Sequence, residues 1–128
     1  MNLLIVEDDV ETAGGIVEMV TLWGHWAEPS FTGRDALRKA EERPFDLALL
    51  DIFLPDIRGY DLIPRLRDVC PDMKIVAMTG YNTRELELRV RREGVLYYMI
   101  KPFEGETLKT LLDYITQRRH NGPGDNGH

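Results

Sequence analysis

The chain has 128 residues, a net charge of −6, 43% hydrophobic residues and 30% charged residues. Those values fit one soluble domain with a real core, exclude wholesale disorder, and argue against nucleic acid as a primary ligand, because a phosphate backbone calls for a basic face. No apolar run approaches the roughly 18–20 residues that span a bilayer, the segment from Met1 to Glu7 lacks the pattern of a signal peptide, and the single Cys70 fits a reducing compartment, with the cytoplasm as the default and no membrane association.

Leu3-Leu4-Ile5-Val6 is a short continuous apolar run of the kind that forms a strand buried on both faces. Asp9 is placed to cap the helix that follows, with Glu11 in its first turn. Ala13, Ile16, Val17 and Val20 repeat at helical spacing and form one apolar face. Gly14 and Gly15 are poor helix formers and are read as marking close packing against a neighbouring strand. Gly24 ends this helix. A weak strand around Trp26 to Glu28 comes next. Thr32 or Gly33 opens a second helix carrying Ala36, Leu37 and Ala40, which Pro44 closes.

Leu47-Ala48-Leu49-Leu50 is the second clear buried strand, followed by a loop holding Pro55 and Gly59. The third helix carries Leu62, Ile63, Leu66 and Val69. Pro64 is tolerable in it if Tyr60 or Asp61 is the cap, since first-turn amides lack intrahelical partners. Ile75 to Met78 is another buried strand. A charged helix from about Thr83 to Glu93 pairs Glu85 with Arg89 and Glu87 with Arg91. Val95 to Ile100 is the last apolar run. The final helix, about Glu104 to Arg119, is amphipathic through Leu108, Leu111, Leu112 and Ile115. One domain over 1–119 and a flexible tail or linker start over 120–128 are expected, the latter from its Gly, Pro and Asn content.

Strands alternating with helices imply an α/β fold with helices on both faces of a parallel sheet. Five such units point to a flavodoxin-like, doubly wound, five-stranded sheet. In sheets of this type function sits at the carboxyl ends of the strands, where the strand order reverses. Glu7 and Asp8 follow Val6, Asp51 follows Leu50, Thr79 follows Met78, and Lys101 follows Ile100. Three carboxylates brought together repel one another, and a hard divalent cation such as Mg²⁺ offsets them with oxygen ligands. A lysine and a threonine beside them suit the oxygens of a phosphoryl group, and an aspartate can be the nucleophile that forms an acyl phosphate. The residues alone therefore suggest a metal-assisted phosphoaspartate site.

Four segments, Leu4-Ile5-Val6-Glu7-Asp8-Asp9, Leu49-Leu50-Asp51-Ile52-Phe53-Leu54-Pro55, Ala77-Met78-Thr79-Gly80 and Tyr98-Met99-Ile100-Lys101-Pro102-Phe103, together resemble the response-regulator receiver domains of two-component signalling over about residues 1–119. Each segment is weakly diagnostic, but their order and strand-end placement are specific. The resemblance implies strand order 2-1-3-4-5 and Asp51 as the phosphoacceptor. It implies direct Mg²⁺ ligation by Asp8, a contact from Glu7 through water, and the backbone carbonyl of Phe53 as a further ligand. By the same resemblance Thr79 and Lys101 bind the phosphoryl group, Gly80 keeps access open, Tyr98 moves inward as Thr79 moves, and the Lys101–Pro102 bond is cis. The implied partners are a sensor histidine kinase or phosphotransfer protein and a downstream protein or output domain. A homodimer through the face of the fourth helix, fifth strand and fifth helix is a further expectation.

Several residues read more plainly. Asp56 is taken as a turn residue and Asp61 as a helix cap. Trp23, His25 and Trp26 are taken as packing and loop residues, and no His/Cys cluster has zinc spacing. Tyr97 and Tyr98 are adjacent on a strand and so face opposite ways, which leaves an apolar patch at Leu96 and Tyr97 as a contact surface. Phe53 and Tyr81, each two residues beyond a site residue, would shield an acyl phosphate and predict slow self-dephosphorylation. A haloacid-dehalogenase-type phosphatase needs a second acid two residues after its nucleophile, where this chain has Phe53. A flavodoxin-type carrier would meet repulsion between FMN phosphate and Glu7-Asp8-Asp9. Within the reading as a non-enzymatic switch, the chain is either a single-domain regulator acting by protein contact or the receiver piece of a longer, for example transcriptional, regulator. Eight residues beyond position 120 are too few for a DNA-binding domain.

Overall fold

Every apolar run becomes a strand in the computed structural model, which describes residues 1–120. The strands are β1 (Asn2–Val6), β2 (Trp26–Ser30), β3 (Leu47–Asp51), β4 (Lys74–Thr79) and β5 (Tyr97–Ile100), and the helices are α1 (Val10–Leu22), α2 (Gly33–Glu42), α3 (Gly59–Val69), α4 (Arg84–Arg91) and α5 (Gly105–His120). All strand pairs are parallel and the order is β2-β1-β3-β4-β5, the flavodoxin-like arrangement expected. α5 runs into the segment expected as a tail, and the rest of that segment, 121–128, lies outside the described residues.

Period-two alternation sorts the strand side chains into two cores. Leu4, Val6, Ala48, Leu50, Ile75 and Ala77 face α2 and α3 with Ala36, Leu62, Ile63 and Leu66, and Val90 of α4 joins that layer. Leu3, Ile5, Leu47, Leu49, Val76 and Met78 face α1 and α5 with Ile16, Val20, Leu108, Leu112 and Ile115. Burial on both faces explains why β1, β3 and β4 read as unbroken apolar runs. Each fully buried leucine or isoleucine contributes roughly 1.5–3 kcal/mol. β2 is an edge strand, and Pro29 in its interior is accepted there.

Local capping chemistry sets the helix starts. The amide of Thr12 donates to Asp9 at 3.1 Å, that of Asp35 to the Thr32 hydroxyl at 3.0 Å, and that of Leu86 to the Thr83 hydroxyl at 3.1 Å.

Three expectations need correction. Gly14 and Gly15 do not pack against a strand: both are exposed, and a Cβ on either would meet nothing within 4 Å. At about 100° per residue they are turned away from the Ala13, Ile16, Val20 face that meets the sheet. Next, α3 begins at Gly59 with Arg58 as its unbonded cap, so neither Tyr60 nor Asp61 caps it and Pro64 lies inside the helix. Pro64 supplies no amide to the Tyr60 carbonyl, and burial of the flanking Leu62, Ile63 and Leu66 outweighs that loss. Finally, Arg91 pairs with Glu87 at 2.8 Å as expected, but Arg89 lies over the Tyr60 ring at 4.0 Å and reaches Asp61 at 4.0 Å rather than pairing with Glu85.

Candidate functional site

The strand register brings the predicted residues to one edge of the sheet. Val6 is level with Leu50, Leu50 with Ala77, and Ala77 with Tyr98. The polar residues that follow, Glu7, Asp51, Thr79 and Lys101, therefore gather at the same end of the sheet. Glu7 and Asp51 continue the parity of Leu3, Ile5, Leu47 and Leu49, so both point to the α1 and α5 side. Both are buried, Glu7 being 1% exposed and Asp51 6%, whereas Asp8 is open to solvent.

Lys101 bridges the two buried acids. Its ammonium donates to a Glu7 carboxylate oxygen and, at 2.9 Å, to Asp51 Oδ2. The other Asp51 oxygen accepts from the Phe53 amide at 3.1 Å, and the second Glu7 oxygen accepts from the Asp9 amide at 3.1 Å. Burial pushes the Glu7 carboxyl above the usual carboxylate range, with Asp51 acting in the same direction, and the Lys101 and Asp9 contacts only partly oppose it. For Lys101, burial acts to lower the ammonium, but Glu7 and Asp51 outweigh it and hold the group above its ordinary value.

Carboxylate oxygens of Glu7, Asp8 and Asp51 lie within 4.8 Å of one another. Three acids against one ammonium leave an excess of negative charge in a partly buried crevice. Oxygen-only donors of this kind suit a hard divalent cation. Burial and the neighbouring Asp51 both raise the Glu7 carboxyl, and added positive charge would act against that shift.

Thr79 stands apart from this group. It is fully buried, and its hydroxyl accepts from the Tyr81 amide and donates to the Tyr81 carbonyl, both at 3.0 Å. The hydroxyl is thus tied into the β4–α4 loop rather than to Asp51 or Lys101, while the Thr79 carbonyl accepts from the Lys101 amide at 2.7 Å. Tyr98 is buried at 7% exposure and Tyr97 is 44% exposed, which resolves the alternation expected for the pair. The Tyr98 hydroxyl donates to Asn82 Oδ1 at 2.7 Å, and Arg91 lies 5.6 Å above its ring. Lys101–Pro102 is cis, as expected. The rings of Phe53 and Tyr81 meet edge to face at 5.9 Å, with Arg58 over the Phe53 ring at 5.3 Å. A Cβ at Gly80 would come no nearer than 4.0 Å to Lys101.

Two residues here escaped the sequence reading. Asn82 carried no motif signal. Asp56 looked like an ordinary turn residue, yet its two oxygens accept from the amides of Gly33 and Arg34 at 2.8 Å each. Its partners are more than twenty residues away in the chain, and local pattern carries no trace of such a contact.

A family model described as response regulator receiver domain matches residues 3–113. The probable transcriptional regulatory protein SilR of Salmonella typhimurium is 33% identical over 118 residues, which are 92% of this chain and 52% of that protein. The transcriptional regulatory protein ZraR of Salmonella typhi is 27% identical over 113 residues, 88% of this chain and 26% of that protein. The chain thus spans only about a quarter to a half of these relatives' length. The crystal structure of a CheY-like response regulator receiver domain protein from Methanospirillum hungatei superposes with a TM-score of 0.86 at 29% identity, covering 94% of this chain and 98% of that one.

Proposed function

The chain belongs to the response regulator receiver domain family, and from that premise we propose that Asp51 is the acceptor of a phosphoryl group delivered by a histidine kinase or phosphotransfer protein. The observation that carries this reading is the cluster of Glu7, Asp8, Asp51 and Lys101 at the carboxyl edge of the sheet. The receiver unit is taken as residues 1–119. A carboxylate oxygen of Asp51 attacks phosphorus, the bond from phosphorus to the donor's imidazole nitrogen breaks, and its electron pair leaves with that nitrogen. Lys101 leaves part of its contact with Asp51 to pair with a phosphoryl oxygen. Asp8 and Asp51 would hold Mg²⁺ directly, Glu7 through water, and Phe53 by its carbonyl. Bound there, the ion would neutralise excess negative charge on the acids and the phosphoryl oxygens.

Mg²⁺ binding should stabilise the folded state. At ten times its Kd, linkage gives about 1.4 kcal/mol, a rise of about 5 °C in Tm. Calorimetry with Mg²⁺ and with Na⁺ at equal ionic strength checks this. An equal Tm in both would remove the cation from the reading.

Thr79 and Tyr98 are the proposed switch. Thr79 would give up the Tyr81 backbone for the phosphoryl group and so move the β4–α4 loop against Tyr98, shifting an equilibrium between inactive and active states. The outlet is the face of α4, β5 and α5, where Leu88, Leu96, Tyr97, Ile100 and Tyr114 are exposed. An output domain, a separate protein or a second copy of the chain would bind there. No direct contact with nucleic acid is part of this reading, and the chain would act in the cytoplasm. Among the described residues no helix is long and apolar enough to cross a membrane. The transcriptional relatives, matched over 26% and 52% of their length, are consistent with the alternative reading of the receiver as one part of a longer regulator.

The Phe53–Tyr81 contact should slow hydrolysis by keeping water from the line of attack. Replacing both with alanine is expected to speed loss of the acyl phosphate about tenfold, equivalent to ~1.4 kcal/mol of barrier. Decay of the labelled protein after donor removal measures it, and a wild-type lifetime of only seconds would contradict the shielding.

A further inference from the structure

We propose that Asp56 is a positioning residue for the acceptor site, clamping the β3–α3 loop to the start of α2 so that Phe53 keeps its backbone aligned with the cation site. The inference rests on the phosphoacceptor reading above and adds a residue to it.

Asp56 is not an ordinary helix cap. Thr32 already fills that place and takes the Asp35 amide. The first two amides of α2, those of Gly33 and Arg34, donate instead to Asp56, one to each oxygen, at 2.8 Å. Two charge-assisted bonds at the positive end of a helix form a directional joint. Steric fit makes the joint tighter. A Cβ on Gly33 would fall 2.1 Å from Ile57 Cγ2 and 3.5 Å from Asp56 Oδ1, so the loop sits against bare backbone.

The loop is also closed on itself. Phe53 and Arg58 form an antiparallel bridge, the Gly59 amide donates to the Ile52 carbonyl at 2.7 Å, and Arg58 Nη1 donates to the Leu54 carbonyl at 2.9 Å. Ile52 and Leu54 are fully buried. Phe53 lies inside this closure and its amide reaches Asp51. A shift at Asp56 and Ile57 is therefore passed to Phe53 instead of being absorbed by slack chain. Groups that orient a metal's ligands commonly change its affinity by about 10–100-fold when removed.

The experiment titrates Mg²⁺ alone into the wild type, Asp56→Ala, Asp56→Asn and Gly33→Ala, following backbone amide shifts by NMR, with urea midpoints measured alongside. In the wild type saturable shifts are expected at residues 7–9 and 51–53. Asp56→Ala should weaken Mg²⁺ binding about tenfold. Asp56→Asn, which keeps one acceptor oxygen, should fall between, and Gly33→Ala should weaken binding by opening the same joint from the α2 side. If Asp56→Ala fails to fold, Asp56→Asn and Gly33→Ala carry the comparison. A lowered urea midpoint with unchanged Mg²⁺ affinity overturns the proposal and leaves Asp56 as a stabiliser of α2. Absence of saturable shifts in the wild type itself overturns the reading beneath it.

Discussion

Asp51→Asn is expected to cut phosphoryl incorporation from acetyl phosphate to background while the protein remains folded. The side chain keeps its shape, but the anionic oxygen that would attack phosphorus becomes part of a neutral amide. Asp51 sits at 6% exposure with one oxygen on the Lys101 ammonium and the other on the Phe53 amide. The amide can still accept one of those bonds, and Lys101 retains Glu7. Removing one of three clustered acids also relieves repulsion, so no loss of thermal stability is expected. Intact-mass measurement with Mg²⁺ and acetyl phosphate, beside a melting curve, reads both outcomes. Equal incorporation in the variant would refute the assignment of Asp51.

Gly59→Ala should be the most damaging addition of a single methyl group near the site. A Cβ there would lie 2.8 Å from Ile52 Cδ1 and 2.9 Å from Ile52 Cα. A flexible side-chain end can turn aside, but the Cα of a residue leaving a central strand cannot. Overpacking of this kind costs about 1–3 kcal/mol, and the displaced backbone is that of Ile52, immediately after Asp51. A lowered urea midpoint is expected together with weaker phosphorylation. Gly14→Ala is the matched control. It lies in an exposed helix interior with nothing within 4 Å of the added carbon, and should stabilise by about 0.5–1 kcal/mol. A Gly59→Ala midpoint equal to that of the wild type would show that the close contact carries no cost.

Much of the fold and of the site is legible in the sequence. Doubly buried strands must be apolar throughout, so Leu3–Val6, Leu47–Leu50 and Ile75–Met78 stand out as runs. A polar residue directly after such a run is conspicuous, and this alone singled out Glu7, Asp51, Thr79 and Lys101. The Asp9 cap is legible for the same local reason, and Thr32 and Thr83, which mark helix starts in the sequence, likewise act on amides three residues ahead. Local pattern misleads where the deciding partner lies elsewhere. It does not show that Gly14 and Gly15 lie off the buried face of α1, nor that burial of the residues around Pro64 outweighs a missing amide.

The sequence by itself determined which segments are strands and helices, which polar groups end the strands, and hence the chemistry the chain can assemble, because periodicity, capping and the cost of burying charge act within a few residues. Only the tertiary structure decided which way those groups turn. It placed the Thr79 hydroxyl on the Tyr81 backbone, the Tyr98 hydroxyl on Asn82, and the Asp56 carboxylate on the first amides of α2. The contacts of Tyr98 and Asp56 join segments far apart in the chain, and the orientation of Thr79 depends on how the β4–α4 loop is folded back. Each is set by how the packed helices place these loops, which no local pattern encodes.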